Sequence, residues 1–217
     1  MGDKFRDPML TPKEVARHLL IPTSTVYHWL GEKANGTPLV HQVRPEKRGR
    51  PSVPFVAVVE AYVLRALRDL GFSMPKIRDA ATEVRRALDT PYALATKRIV
   101  TDGVDIFVQY AANDLARVGD NQRPFRDVID QYLHYIDWDV TDGFARSLRL
   151  RQYPDIAPVV LDPRFGWGAP VVQSAKVPVD NVVDLWLAGE SFSDVAYEYG
   201  LTGEQVEAIC RVHASAA

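Results

Sequence analysis

The densest group of chemistry-bearing side chains in this 217-residue sequence is Lys47-Arg48-Gly49-Arg50-Pro51. Guanidinium groups are permanently charged forks that match phosphate oxygens and groove edges. A glycine between two of them lets the backbone lie flat in a narrow groove. The arginines then point along it into the negative potential of A·T tracts. A second group lies upstream, where Thr23, Ser24, Thr25, Tyr27 and His28 all donate or accept hydrogen bonds. Val26, Trp29 and Leu30 interrupt them at the spacing of an inward helical face, which leaves the polar five outward. On a helix lying in a major groove, such outward residues face base edges. Arg44, and more weakly Lys13 and Arg17, add candidate phosphate contacts. The chemistry implied is recognition of a polyanion, not the making or breaking of bonds.

Catalytic patterns are missing from the sequence. His18, His28, His41, His134 and His213 are scattered, and none stands at metal-ligand spacing to Cys, Asp or Glu. Asp137, Asp139, Asp142 and Asp155 form a loose acidic group that could be a metal nuclease site, but reads better as a solvated loop. There is no phosphate-binding glycine loop and no nucleophile motif. The expectation is a non-enzyme with no catalytic residue, no metal and no cofactor.

Charge divides the chain. Residues 1–90 hold 15 Lys and Arg against 10 Asp and Glu, whereas residues 91–217 hold 11 against 18. A basic front suits nucleic acid, and an acidic rear would repel it and is better matched to protein. Hydrophobic residues at 47% and charged residues at 25% describe an ordinary globular chain. No apolar run approaches the roughly 20 residues of a membrane span, no secretory leader is visible, and the single Cys210 cannot form an internal disulfide. A cytoplasmic protein is expected.

The elements that must position these residues follow from capping and periodicity. Thr11-Pro12-Lys13-Glu14 opens a helix with Val15, Ala16, Leu19 and Leu20 on one face. After Ile21-Pro22, Thr23-Ser24-Thr25 opens the next, and the pair is a helix-turn-helix. Lys33 to Pro54 reads as a two-stranded wing around Leu39-Val40-His41-Gln42-Val43, with the basic loop at its tip. Helices are expected from Phe55 to Leu70 and from Ser73 to about Leu88. In the middle region, Asp102-Gly103 predicts a hairpin between Ile99-Val100-Thr101 and Ile106-Phe107-Val108. A helix is predicted over Phe125–Trp138 and a strand over Ser147–Gln152. The tail offers strands at Val159–Leu161 and Pro170–Val172, then helices at Val179–Ala188, Ser193–Tyr199 and Gly203–His213, the last two with a helix-turn-helix outline. Residues 157–217 carry only Arg164, Lys176 and Arg211 against eight acids, so that outline is assigned to protein contact. Phe165 and Trp167, set among glycines, are candidate anchors.

The fold class expected is therefore mainly α with small β-hairpins. It joins an N-terminal winged helix-turn-helix (1–90) to a mixed α/β connecting region (91–157). A C-terminal domain of three helices and short strands follows (158–217).

Resemblances to known patterns add to this. Arg48-Gly49-Arg50-Pro51 resembles the core of the AT-hook. Residues 1–90 resemble the MerR-like winged helix-turn-helix, through Glu14-Val15-Ala16, Ser24-Thr25-Val26-Tyr27-His28-Trp29-Leu30 and Leu67-Arg68-Asp69-Leu70-Gly71-Phe72-Ser73 with Ile77-Arg78. Where that family usually carries Arg then two Tyr, this chain has Tyr27, His28 and Trp29. The last sixty residues resemble a small domain of unknown function that recurs in antitoxins. The match runs through Asp162-Pro163-Arg164, Gly168-Ala169-Pro170-Val171-Val172, Val177-Pro178-Val179, Leu187-Ala188-Gly189-Glu190-Ser191 and Tyr199-Gly200-Leu201-Thr202. With Tyr132-Leu133 and Ile136-Asp137-Trp138-Asp139 between, the whole is similar to VapB-type antitoxins of type II toxin–antitoxin systems. That resemblance implies a partner, a PIN-domain ribonuclease toxin, and a promoter DNA site through which the protein represses its own operon as a homodimer. Arg164, Phe165, Trp167 and Lys176 become its toxin-binding candidates, and the helix from Phe55 with the middle region its dimer seam. Two other readings stand beside it: a MerR-like transcription regulator that answers to a small molecule without a toxin, and an enzyme built on Asp137–Asp142.

Overall fold

The structure is a computed structural model and describes residues 2–31, 38–103, 105–107 and 129–216. The chain is mainly helical, and it divides into two compact units, Asp3–Arg146 and one built on Ser147–Ala217.

In the first unit, α1 (Pro12–Leu19) begins with a reciprocal capping box. The Thr11 hydroxyl accepts the Glu14 N–H, and the Glu14 carboxylate accepts the Thr11 N–H at 2.7 Å. It ends at Leu20 in the left-handed region, φ 51°, which turns the chain sharply into α2 (Thr23–Leu30). α3 (Phe55–Asp69) is the core of the unit, and every residue from Phe55 to Leu64 is buried within the single chain. Its apolar residues are consumed by that core, which removes them from the dimer seam expected above. α4 (Met74–Ala87) packs through Ile77, Ala80, Ala81 and Val84.

The wing departs from the two-stranded form expected. Among the described residues of 38–53, one backbone bond joins its arms, from the Val43 N–H to the Ser52 carbonyl at 2.8 Å. The second arm instead pairs with the N-terminal segment at the Leu10–Val53 bridge. Pro45, Pro51 and Pro54 bring no N–H to a ladder.

The hairpin expected at Asp102-Gly103 is a helical turn. Ile99–Gly103 forms a turn of π-helix and residues 105–107 are helical; Val108 lies outside the described residues. Arg98 and Asp102 pair at i,i+4 spacing, 3.3 Å apart. Gly103 serves close packing instead of a turn, since a Cβ there would sit 2.5 Å from Ile99 Cδ1. The helix expected to reach Trp138 is helical over residues 129–133 and gives way to strand β1 (Ile136–Trp138); 125–128 lie outside the described residues. β2 (Ala145–Arg149) follows in the chain.

In the second unit β2 pairs antiparallel with β3 (Val159–Leu161) in the register Leu148 to Leu161. β3 pairs with β4 (Val171–Val172) in the register Val160 to Val171. Helices α5 (Val179–Leu187), α6 (Phe192–Tyr199) and α7 (Gly203–Ala216) follow. Gly200, at φ 63°, caps α6 and turns the chain into α7, and Thr202 with Gln205 forms a second capping box. Val182, Val183, Val195, Val206, Ile209 and Cys210 make the core of this unit.

Candidate nucleic-acid interface and the C-terminal patch

Helix α2 sorts its residues as its apolar spacing requires. Val26, Trp29 and Leu30 are buried, Thr23, Ser24, Tyr27 and His28 are exposed, and Thr25 is half-buried. Three bonds then tie the following arm to the end of this helix. Leu39 and Val40 donate their N–H groups to the Trp29 carbonyl at 3.0 and 3.2 Å, and Gln42 Nε2 donates to the Leu30 carbonyl at 3.0 Å. The polar face of α2 and the basic loop are thus held on one scaffold.

The loop itself is a tight turn, not a flat run. The Arg50 N–H closes onto the Lys47 carbonyl at 3.1 Å, and Gly49 takes φ +83°, the value a type II turn demands at its third residue. Arg44, Lys47, Arg48 and Arg50 are all exposed. None of the four is in an ion pair with a described residue. Four exposed cations within seven residues make a local field for a polyanion, and binding one releases water and counterions.

Against the arm that leads into the loop lies a residue the sequence reading passed over. Glu60, on α3, is fully buried. Its carboxylate accepts the His41 N–H at 2.9 Å and bonds His41 Nδ1 at 2.8 Å. Arg85 of α4 stands 3.6 Å away and donates to the Leu39 carbonyl at 2.7 Å and the Pro38 carbonyl at 3.1 Å. The signal was present: a lone acid inside the apolar run Phe55–Leu64 cannot be buried without donors. Arg65 likewise reaches from α3 to the Leu19 carbonyl at the end of α1.

The acidic group resolves into separate local roles. Asp139 accepts both the side chain and the N–H of Thr141, which holds its carboxyl below the usual carboxylate range. Asp142 pairs with Lys4 at 2.8 Å, and Asp155 pairs with Arg149. Among the described residues no three His, Cys, Asp or Glu side chains are grouped to hold a metal ion, and no helix is long and apolar enough to cross a membrane.

In the second unit, Arg164, Phe165 and Lys176 come together. The Phe165 ring lies 5.4 Å from the Arg164 guanidinium carbon and 5.3 Å from Lys176 Nζ. Arg164 is committed internally, through Nε at 2.8 Å and Nη2 at 2.5 Å to the buried carboxylate of Asp162. Trp167 is fully exposed, at 101% of its reference area, and stands in the left-handed region at φ 51° between Gly166 and Gly168, both of positive φ. An indole given to water on three consecutive left-handed residues is the shape of an aromatic anchor awaiting a partner surface. The surrounding helices carry exposed Asp194, Glu198 and Glu204, which leaves Lys176 as the main cation of the patch.

Comparison with known proteins supplies the context. Residues 8–81 match the family described as "Putative DNA-binding HTH domain", and residues 159–211 match "Protein of unknown function (DUF433)". A curated protein of Mycobacterium tuberculosis, "Putative antitoxin VapB45", is 32% identical over 94% of this chain and 92% of its own length. The crystal structure of Rv2018 from Mycobacterium tuberculosis superposes with a TM-score of 0.78 at 30% identity, covering 94% of this chain and 98% of that one.

Proposed function

The chain belongs to the VapB-type antitoxin family, and from that premise we propose that it represses its own operon by binding promoter DNA and neutralises a PIN-domain ribonuclease toxin. DNA binding is assigned to residues 1–90, protein binding to residues 158–217, and the mixed segment 91–157 joins them. The observation that carries the DNA assignment is the exposed turn Lys47–Arg50, whose cations, with Arg44, form no ion pair with a described residue, on an arm bonded to the end of the second helix of a helix-turn-helix. Thr23, Ser24, Thr25, Tyr27 and His28 read base edges, whereas Arg44, Lys47, Arg48 and Arg50 hold phosphates or the minor groove. The protein acts as a non-catalytic homodimeric repressor in the cytoplasm, where its promoter lies, and two-fold operators suit such a dimer.

The test is a mobility-shift titration of the full chain with the duplex upstream of its gene, at several salt concentrations. Each phosphate contact adds about 0.9 to the slope of log affinity against log salt, so replacing Arg48 and Arg50 together by Ala should lower it by up to about 1.8. No retardation at low ionic strength, or an unchanged slope in the double variant, overturns the DNA assignment.

The toxin half rests on the C-terminal patch. Trp167 enters an apolar recess of the toxin, Phe165 and Lys176 line the contact, and Arg164 holds the loop in shape through Asp162. Co-expression with the product of the neighbouring reading frame should yield a stable complex without ribonuclease activity. A product that neither co-purifies nor is silenced refutes this half alone.

A further inference from the structure

We propose that Glu60, with His41 and Arg85, is the positioning centre of the DNA-binding loop: a buried carboxylate that fixes where the loop's cations stand without touching DNA itself. The inference rests on the assignment of that loop to DNA and adds the residues that make it work.

The need for such a centre follows from the loop's own weakness. A β-wing keeps its place by a ladder of backbone bonds, but among the described residues this one has a single bond between its arms, at Val43 and Ser52. Prolines at 45, 51 and 54 deny it further donors. With Gly49 at its turn, the segment has little local stiffness of its own. Yet phosphate contacts require cations at defined places, and entropy lost in ordering a slack loop on DNA would be subtracted from affinity.

Side chains of α3 and α4 supply what the ladder lacks. Within residues 38–41 every peptide is gripped: Arg85 holds the carbonyls of Pro38 and Leu39, the Trp29 carbonyl holds the N–H groups of Leu39 and Val40, and Glu60 holds the N–H of His41. The His41 ring adds a bond to Glu60 and packs against Tyr92, tilted by 47° with centroids 4.5 Å apart. Val43, at the neck of the loop, lies two residues on. A carboxylate buried this deeply is a poor choice for stability alone, since apolar residues of similar volume do as well or better. What it provides is direction: Oε2 takes the His41 N–H while the His41 ring and Arg85 stand at Oε1, so backbone and side chain of His41 are fixed by one carboxylate.

The experiment separates positioning from mere folding. Wild type, Glu60→Gln, His41→Phe and the Arg48→Ala/Arg50→Ala pair are titrated against the upstream duplex between 50 and 200 mM salt. Loss of global stability removes active protein equally at every salt and leaves the slope alone. A displaced loop loses phosphate contacts and flattens the slope. Glu60→Gln should lower the slope by about 2, so that its affinity loss at 50 mM exceeds that at 200 mM by roughly 16-fold. Amide exchange of the segment around Val43 should quicken more than about tenfold, with α1 and α2 unaffected. His41→Phe keeps the backbone bond and the ring contact with Tyr92 but drops the ring bond. It should show the same pattern to a smaller extent, and it decides the matter if Glu60→Gln does not fold. Affinity lowered by one factor at all salts, or unaltered exchange at the loop neck, overturns the inference. If the arginine pair changes the slope and the Glu60 and His41 variants do not, only the inference falls. If the arginine pair leaves the slope intact, the DNA assignment falls with it.

Discussion

Acidifying the solution should loosen the DNA-binding unit through one histidine. His18 sits on the inner face of α1 beside Val15, Ala16 and Leu19, with 8% of its surface exposed. Burial foremost, and Arg17 next to it, lower its pKa from 6.5 to about 4, against a smaller opposing pull from Glu14. The folded state therefore prefers the neutral ring. As pH falls below 6.5 the unfolded chain takes up the proton first, and the folded state loses stability until its own pKa near 4 is reached. Below that the loss levels off. The 2.5-unit gap implied by these values caps the effect at about 3.4 kcal/mol, of which about 2 kcal/mol is gone by pH 5. Other groups titrate over the same range, so the quantity to measure is a difference. Urea unfolding of wild type and His18→Gln, followed by circular dichroism at pH 7, 5 and 4, isolates it, because Gln carries no titrating proton. Wild type should lose about 2–3 kcal/mol more than the variant between pH 7 and pH 4. Parallel losses in the two proteins would refute the reasoning, and so would a wild type that is stabilised by acid relative to the variant.

Four further outcomes are expected. Gly49→Ala meets no neighbour within 4 Å but must adopt φ +83°; the strained turn should cost about 1 kcal/mol of DNA affinity, roughly fivefold, in the mobility-shift assay. Trp167→Ala should leave urea stability within about 0.5 kcal/mol and abolish toxin co-purification. Arg164→Ala, in contrast, strands the buried Asp162 carboxylate and should lower unfolding stability by about 2–3 kcal/mol, less than for a fully buried pair because the guanidinium is partly exposed. Gly103→Ala forces a Cβ to within 2.5 Å of the Ile99 side chain and should lower the melting temperature by several degrees, consistent with about 1–2 kcal/mol of overpacking.

Much of the frame is written locally. The Thr11–Glu14 box, Pro12, the apolar spacing of Val26, Trp29 and Leu30, and Gly200 between the last two helices announce α1, α2, α6 and α7 where they stand. Each signal acts within a few residues, so neighbours in sequence suffice to decide it. The exposed cations of the loop are equally legible, because charge on a polar, proline-rich segment has nowhere to go but solvent.

The remaining features depended on groups distant in sequence. Asp102-Gly103 looked like a hairpin turn, and became a helical one whose Ile99 and Gly103 are buried in the interior of the unit. Phe55–Leu64 looked like a surface for a second chain, and became the enclosed core of its own. The wing looked like a ladder, and is instead held from beneath by Glu60 and Arg85, 19 residues or more along the chain from the peptides they grip. Backbone conformation follows short-range sterics and hydrogen bonds, and a sequence states these directly. Where a buried charge finds its donors, and which apolar face is already covered, is settled only when remote segments share one interior.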